Sequence, residues 1–237
     1  MDRVVLLKMS GEAVADIEGE SVVSTERLAA FSAQIAEARK VDAHLRVAVV
    51  VGGGNIVRGK MLTGVNRTKA DHMGMLATVI NALALQSSMD EAGVDSRLMS
   101  GVEIPKVAES YIHGRAMRHL EKNRVVIFAG GLGSPFFTTD TAAALRAAEI
   151  EAQAVLKGTH SGVDGVYTAD PKLDPTATKL DEVTYMDVLN QGLGVMDPTS
   201  ITFCMDNGLP IVVYDALTEG NLGRVLTGER GVGTLVR

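Results

Sequence analysis

A short run of side chains in the second half of the chain places two hydroxyls and a carboxylate at an expected helix start. The run is Phe-Phe-Thr-Thr-Asp at 136–140, and the alanine-rich stretch 141–150 follows it. A helix N-terminus favours anions through its unpaired N–H groups and its dipole. Two glycine-rich elements lie upstream, Lys-Met-Ser-Gly-Glu at 8–12 and Val-Gly-Gly-Gly-Asn at 51–55. Three such elements suggest more than one phosphate, and therefore phosphoryl transfer.

The glycine cluster at 52–54 offers a backbone without obstructing side chains. Glycine allows positive φ and close approach, so that N–H groups can converge on a ligand oxygen. A plain tight turn is an equally good interpretation, and the cluster matches neither a Walker A loop nor a Gly-x-Gly-x-x-Gly fingerprint. Arg58, four residues beyond Gly54, favours a phosphate because guanidinium binds phosphate oxygens in a fork. A solvated surface arginine is the alternative.

Two lysines stand near the ends of apolar runs, Lys8 in the run 4–9 and Lys157 in the run 154–157. An ammonium in that position must pair, bind a ligand or reach solvent, because burying it unpaired is expensive. Two cations at one sheet edge would suit phosphoryl transfer, which is catalysed mainly by positioning and charge stabilisation.

The elements that position these residues follow from the apolar pattern. Runs at 4–9, 45–51, 125–129, 154–157 and 211–214 predict buried strands. Strands that alternate with helical patterns predict an α/β fold with a mostly parallel sheet covered on both faces. The glycine-rich elements, including Gly130–Gly133, follow strands and are expected to form one crevice at the carboxyl edge. Helical spacing recurs in two sets of apolar residues, Leu28, Phe31, Ile35 and Ala38, and Met73, Leu76, Ile80 and Leu83.

Other residues receive less specific interpretations. Asp71 begins a long helical run, where it either interacts with the helix dipole or contacts a ligand. Met73 and Met75 are predicted to fill the core, and Cys204 to be a buried apolar residue. His72 has no obvious metal or triad partner and is predicted to be structural. The segment 168–178, with two Asp-Pro pairs, is predicted to be a surface loop.

Length, net charge, cysteine content and hydrophobicity limit the classes of protein to which this chain can belong. The 237 residues are expected to form a single domain, 1–237, and the net charge of −6, with few aromatics, does not indicate a nucleic-acid partner. The single cysteine excludes an intrachain disulfide and is consistent with a reducing compartment. No apolar run approaches the roughly 20 residues that span a bilayer, so we expect a cytoplasmic protein without a membrane partner.

Taken together, these segments resemble the bacterial uridylate kinases of the amino acid kinase family. The Asp-His-Met-Gly-Met run at 71–75 and the Pro-Phe-Phe-Thr-Thr-Asp run at 135–140 separate them from relatives that phosphorylate carboxylates. Those relatives share only the lysine and glycine loops. The segment 157–163 is one residue longer than the commonest family pattern, which usually carries a second lysine there. The resemblance covers nearly the whole chain and rests on residues 7–12, 51–55, 58–59, 71–78, 135–140 and 163–171.

The resemblance implies a three-layer α/β/α sandwich, the amino acid kinase fold, in a homohexamer built from dimers. It also implies transfer of the γ-phosphoryl of ATP to UMP, with Mg²⁺ carried by ATP and no protein residue assigned to the metal. The catalytic residues would be Lys8, Asp140 and Lys157. ATP would contact Lys8, Met9, Ser10, Gly11, Gly54, Arg58, Thr159, Tyr167 and Asp170. UMP would contact Gly53, Asp71, Leu132, Gly133, Ser134, Pro135, Phe136, Phe137, Thr138 and Thr139.

Two other functions stay open at the level of sequence. One is an amino acid kinase that acts on a carboxylate, such as an acetylglutamate or aspartate kinase. The other is a non-catalytic protein of the same fold that binds a nucleotide or an oxyanion. A binder would hold its ligand without turnover, and it could lose some of the four charged residues Lys8, Arg58, Asp140 and Lys157 without penalty.

Overall fold

The computed structural model describes residues 2–16, 21–58, 62–160 and 162–237. Gly59 and Ser161, which belong to segments discussed above, lie outside these ranges. The strands are β1 (Arg3–Met9), β2 (Leu45–Val51), β3 (Ser96–Ser100), β4 (Glu109–Ser110), β5 (Val125–Ala129), β6 (Val155–Thr159), β7 (Val166–Tyr167), β8 (Lys179–Leu180), β9 (Glu182–Val183), β10 (Ile211–Asp215) and β11 (Thr234–Val236). The helices are α1 (Thr25–Val41), α2 (Arg67–Glu91), α3 (His113–Glu121), α4 (Thr139–Glu149), α5 (Tyr185–Gln191), α6 (Pro198–Asp206) and α7 (Asn221–Leu226), with a short 3₁₀ turn at Gly11–Val14.

Within the described residues, one nine-stranded sheet has the order β4-β3-β5-β2-β1-β6-β10-β11-β9. Its neighbouring strands are parallel except β10 and β11. β7 and β8 form a separate antiparallel pair. The predicted mostly parallel sheet is therefore confirmed.

Two apolar cores cover the two faces of this sheet. Side chains alternate between faces along a strand, so Leu6 and Leu7 belong to different cores although they are neighbours. The core that contains Leu7 packs against α1, α2 and α7, and the core that contains Leu6 packs against α3, α4 and α6. The fold is thus the three-layer α/β/α sandwich that the sequence predicted.

The five predicted strands are all present. Two have the predicted bounds, Leu45–Val51 and Val125–Ala129. Two others differ by one residue at one end, and the strand predicted at 154–157 begins one residue later and ends two residues later. The sequence analysis did not predict β3, Ser-Arg-Leu-Met-Ser at Ser96–Ser100, because its polar residues interrupt the apolar pattern. Its position beside β5 in the sheet interior buries four of its five residues all the same.

Helix α2 was predicted correctly as a helix, but its apolar stripe does not face the core. Met73, Leu76, Ile80 and Leu83 are 40–49% exposed, so the prediction that Met73 fills the core was wrong. Met75 is buried, as predicted. The buried face of α2 consists largely of small residues together with Leu85 and Met89. By contrast, Leu28, Ile35 and Ala38 of α1 are buried, and Cys204 is buried as predicted.

Candidate active site

The central strands of the sheet bring the predicted loops together. β5, β2, β1, β6 and β10 are consecutive and parallel, so their carboxyl ends share one edge. The loops that begin at Ser10, Gly52 and Gly130 follow β1, β2 and β5, respectively. The expectation that these glycine-rich elements lie at one sheet edge is confirmed.

Two of these loops pack directly on each other, and this contact requires glycine. A Cβ atom on Gly11 would lie 2.4 Å from the Asn55 side-chain oxygen and 2.8 Å from the Gly54 nitrogen. A Cβ atom on Gly53 would lie 2.9 Å from Gly74 O, within α2. Real Cβ atoms do not approach other atoms so closely, so larger residues would push the loops apart. The cluster is therefore more than a tight turn.

A carboxylate links the two strand-end lysines. Lys8 Nζ lies 2.7 Å from Asp140 Oδ1, and Lys157 Nζ lies 2.7 and 2.8 Å from the two Asp140 oxygens. The three side chains are largely buried: Lys8 is 8% exposed, Lys157 is 13% exposed and Asp140 is 16% exposed. The requirement that a buried Lys8 find a partner is thus met by Asp140.

The charges of this cluster shift its acid–base behaviour. Burial alone would raise the pKa of Asp140, but the charges of Lys8 and Lys157 outweigh burial and lower that pKa to about 2. Burial and the charge of Lys8 lower the pKa of Lys157 below its ordinary value, against the opposing effect of Asp140. The cluster is therefore poised to receive a further anion, which would offset the excess positive charge.

Asp140 stands in the first turn of α4, and the cap of this helix involves a residue that the sequence analysis missed. The Thr138 hydroxyl accepts hydrogen bonds from the Asp140 and Thr141 N–H groups and donates one of 2.6 Å to Asp197. The Thr141 hydroxyl also donates to Asp197, the N-cap residue of α6. No short motif marks Asp197, because its contacts come from packing between α4 and α6.

Asp71 lies in the first turns of α2 and faces the loop before α4. Its carboxylate pairs with Arg67 at 2.8 Å and accepts the Phe136 N–H at 2.8 Å. The Arg67 guanidinium lies over the Phe136 ring. Phe136 has a positive φ of 72°, which is unusual for a residue with a side chain. The carboxylate therefore has an observed role in holding a strained loop.

A second charged cluster forms around Glu12. Its carboxylate pairs with both Arg58 and His160. Burial, followed by the charges of Lys8 and Lys157, lowers the pKa of His160. Arg58 is half-exposed but has a carboxylate partner, so it is not simply a solvated charge. His160 belongs to the segment that departs from the family pattern, and this segment lies beside the cations.

Two cavities open along this edge and meet at the first turn of α4. The larger, of about 840 Å³, is lined on that side by Asp140, and the smaller, of about 440 Å³, by Thr138 and Thr139. Both volumes suit small-molecule ligands. The larger cavity contains Lys8, Ser10, Asp140, Lys157, Thr159, Tyr167 and Asp170 of the predicted set. The smaller contains Gly53, Gly54, Arg58, Asp71, Leu132, Ser134, Phe137, Thr138 and Thr139.

Some predicted residues lie near these cavities without lining them. Met9 is buried in the core, Gly11 lies under the Gly54–Asn55 loop, and Phe136 is 66% exposed. Gly133 and Pro135 belong to the same loop as Phe136 but line neither cavity. Val195 and Met196, on the loop between α5 and α6, line the larger cavity and were missed because that loop carries no recognisable motif.

The described residues contain no group of three or more His, Cys, Asp or Glu side chains that could hold a metal ion. None of the helices in the described part of the chain combines the length and apolar character needed to cross a bilayer.

A mostly parallel sheet that holds buried lysines and glycine loops at the junction of two cavities is typical of a phosphotransferase. Residues 3–215 match the family model described as the amino acid kinase family, and the chain belongs to this family.

Solved structures of UMP kinases are similar over the full length. The chain is 38% identical to the UMP kinase from Bacillus anthracis, with a TM-score of 0.92 over 99% of this chain and 96% of that one. It is 34% identical to the UMP kinase from Ureaplasma parvum, with a TM-score of 0.92 over 100% and 99% of the two chains. The uridylate kinase from Archaeoglobus fulgidus is 26% identical, with a TM-score of 0.72 over 98% and 99%.

Proposed function

We propose that this protein is a UMP kinase, which transfers the γ-phosphoryl group of ATP to UMP and releases UDP and ADP. The observation that carries this proposal is the buried Lys8–Asp140–Lys157 cluster, which lines the larger of two nucleotide-sized cavities beside the Thr138-Thr139 turn that lines the smaller one. The similarity to UMP kinases at 38% and 34% identity supports the choice of acceptor. The smaller cavity also contains Asp71 and the Thr138-Thr139 pair, which mark uridylate kinases in the family resemblance.

In the proposed reaction, the residues of this chain act by charge and position. A phosphate oxygen of UMP is already anionic, so the attack needs no strong general base. Lys8 and Lys157 would neutralise charge on the phosphoryl group as it moves between the cavities. Asp140 would hold both ammonium groups at the junction, where its oxygens already lie 2.7–2.8 Å from their nitrogens.

The proposed nucleotide contacts divide between the two cavities. Lys8, Met9, Ser10, Gly11, Gly54 and Arg58 would surround the ATP phosphates, and Thr159, Tyr167 and Asp170 would border the adenosine. Gly53, Asp71 and residues 132–139 would hold UMP. Gly54 and Arg58 line the smaller cavity, which supports a position between the two nucleotides, where the ATP and UMP phosphates would approach each other.

Mg²⁺ is proposed to arrive with ATP. Both Asp140 oxygens are engaged by lysines, and the described residues contain no carboxylate-rich cluster that could form a cage of protein ligands. Such a donor set fits an ion carried by substrate phosphates, as is usual for Mg²⁺. When bound, the ion would neutralise phosphate charge alongside the two lysines.

We also propose a single domain over 1–237, a cytoplasmic location and a homohexamer. The continuous sheet supports the single domain, and the single cysteine is compatible with the cytoplasm. The exposed stripe of Met73, Leu76, Ile80 and Leu83 on α2 supports self-association, because such apolar patches commonly mark protein interfaces. Light scattering on the wild type and on Ile80→Glu would test whether this stripe is the interface. An unchanged molecular mass in the variant would show that the stripe does not hold the oligomer together.

The reaction is tested by ADP release from ATP and Mg²⁺ with UMP, CMP, dUMP, acetylglutamate or aspartate as separate acceptors. We expect strong turnover with UMP and none with the two carboxylates. Turnover with acetylglutamate or aspartate but not with UMP would show that the protein is a carboxylate kinase. A folded protein that binds ATP but turns over none of the acceptors would indicate a nucleotide-binding protein.

A further inference from the structure

The buried face of α2 carries polar side chains as well as small apolar ones. Thr78, Asn81 and Ser88 are all buried, and Asn81 is 0% exposed. A buried hydroxyl or amide without a hydrogen bond is costly, so each of these side chains needs a partner. The Ser88 hydroxyl is paired with that of Ser32, which joins α2 to α1. Thr78 and Asn81 are instead bonded to two loops of the proposed active site.

Asn81 holds the glycine loop that follows β2. Its side-chain amide donates to Gly52 O at 2.8 Å and to Asn55 Oδ1 at 2.7 Å. The same Asn55 oxygen is the atom that a Cβ on Gly11 would meet, so the loop after β1 packs against this pair of amides. The two glycines at 53 and 54 lie between the residues that Asn81 binds, and the loop is therefore tied to α2 at both ends.

Thr78, three residues earlier and on the same side of the helix, holds the loop that follows β5. Its hydroxyl donates to Met75 O at 2.6 Å and accepts the Gly130 N–H at 2.7 Å. Gly130 has a positive φ of 71°, and a Cβ there would lie 2.8 Å from the Ser100 hydroxyl, so the start of this loop is closely packed. Several of the residues that follow, at 131–139, line the smaller cavity.

We propose, on the basis of the proposed kinase function, that Asn81 and Thr78 are positioning residues. Asn81 would place the loop 52–55, where the two phosphates would approach each other, and Thr78 would place the acceptor loop 130–138. Both side chains are buried beneath the loops, so they act through the loop backbone. A displacement of about 1 Å can cost roughly a hundredfold in rate, so hydrogen bonds of this kind matter although they lie away from the reacting atoms.

The first test is steady-state kinetics with ATP and UMP. Asn81→Ala releases the loop 52–55 and should lower kcat about tenfold or more. Thr78→Val keeps the shape of the side chain but removes the acceptor of the Gly130 N–H. It should raise KM for UMP about fivefold or more and change KM for ATP much less. Thr78→Ser, which retains the hydroxyl, should restore KM for UMP.

The matched control is Ser88→Ala. It removes a buried hydrogen bond from the same face of the same helix, but its partner is Ser32 of α1 and not a loop of the site. Ser88→Ala should therefore lower the melting temperature and leave kcat and both KM values unchanged. A merely structural role for Asn81 and Thr78 predicts the same result for their variants.

Amide hydrogen exchange without nucleotides tests the positioning independently of the reaction, because exchange reports local opening. Asn81→Ala should speed exchange at 51–57 but not at 129–135, Thr78→Val should do the reverse, and Ser88→Ala should do neither. Absence of UMP turnover in the wild type would overturn the proposed function, and the exchange pattern would still decide the positioning.

The positioning is overturned if each loop exchanges at the wild-type rate in its own variant. It is also overturned if the kinetic constants of folded Asn81→Ala and Thr78→Val match those of Ser88→Ala. Should Asn81→Ala fail to fold, unchanged KM for UMP and unchanged exchange at 129–135 in Thr78→Val would overturn it alone.

Discussion

Lys8 and Lys157 are direct partners across the parallel pair of β1 and β6, and both side chains reach the same carboxylate, Asp140. Two like charges opposite each other on neighbouring strands repel, so this arrangement persists because Asp140 lies between them. Lys8 and Lys157 are 149 positions apart in the sequence. They meet in the cationic centre because the register of β1 and β6 places them opposite each other.

Removal of Lys8 is predicted to impair turnover much more than folding. Lys8→Ala should lower kcat by roughly a hundredfold or more, the size expected for loss of an electrostatic donor at the reacting group. Steady-state kinetics with UMP would measure the effect, and Lys122→Ala, at an exposed lysine after α3, is the matched control. Near-native turnover in a folded Lys8→Ala protein would remove Lys8 from the proposed mechanism.

Replacement of Asp140 is predicted to destabilise the fold as well as to abolish turnover. Asp140→Asn would leave two buried ammonium groups without their shared counter-charge. Loss of one partner of a buried ion pair typically costs about 3–5 kcal/mol. Urea unfolding at pH 7 would measure this change, with the exposed Asp181→Asn as control.

The pH dependence of this destabilisation follows from the pKa shifts. The folded-state pKa of Asp140 is lowered to about 2, so its stabilisation of the wild type is present above the unfolded value of 3.8 and is lost as pH falls toward 2. In Asp140→Asn, Lys157, whose pKa is already lowered by burial and the charge of Lys8, can relieve the repulsion by losing its proton. The stability difference from the wild type should therefore shrink as pH rises, and a constant difference from pH 7 to 10 would contradict the proposed charge balance.

The lowered pKa of Lys157 predicts that activity begins to fall at a lower alkaline pH than an ordinary lysine would cause. This fall is the alkaline limb of the pH–rate profile. The ammonium form of Lys157 is the one that neutralises charge, so kcat/KM for ATP should fall as pH rises through a value well below the ordinary 10.5. Bound phosphates favour the ammonium, so the corresponding limb of kcat should lie at higher pH. Lys157→Arg should lose the limb, because guanidinium does not titrate in this range. If the alkaline limb is unchanged in Lys157→Arg, it must arise from the titration of another group.

Much of this centre could be predicted from local sequence, because strand ends and helix starts carry local signals. The apolar runs before Lys8 and Lys157 located both lysines, and the Thr-Thr-Asp run located the start of α4. Local signals could not predict which residues from distant parts of the sequence form hydrogen bonds with each other. The pairing of Asp71 with Phe136 spans 65 positions, and that of Thr138 with Asp197 spans 59.

The exposed face of α2 shows a second limit of the pattern. Large apolar residues at helical spacing normally indicate the buried face. In α2 the small residues Ala70, Ala77 and Ala82 are buried together with Leu85 and Met89, and Met73, Leu76, Ile80 and Leu83 are exposed. Periodicity thus identified the helix, but it did not show which side of the helix faces the core.

Asp197 is predicted to be a positioning residue for the acceptor side. Its carboxylate accepts hydrogen bonds from the Thr138 and Thr141 hydroxyls and from Ser200, and an amide can accept fewer of them. Asp197→Asn should therefore loosen the Thr138-Thr139 turn that lines the smaller cavity. We expect KM for UMP to rise about tenfold and KM for ATP to change much less.

The matched control for Asp197 is Asp187→Asn. Asp187 likewise accepts a threonine hydroxyl, from Thr184, at the start of α5, but it lines neither nucleotide cavity. This variant should leave both KM values unchanged. Equal increases in the two KM values in Asp197→Asn would indicate a general loss of structure instead of a specific effect on the acceptor.

Glu12 is predicted to compete with ATP for its cations. Its carboxylate pairs with Arg58 and His160, and an incoming phosphate would replace it at Arg58. Glu12→Gln removes the competing charge and should lower KM for ATP severalfold, with the exposed Glu91→Gln as control. The gain should diminish at high salt, because the competition is electrostatic. A higher KM for ATP in Glu12→Gln would mean that Glu12 instead holds Arg58 in the orientation that ATP requires.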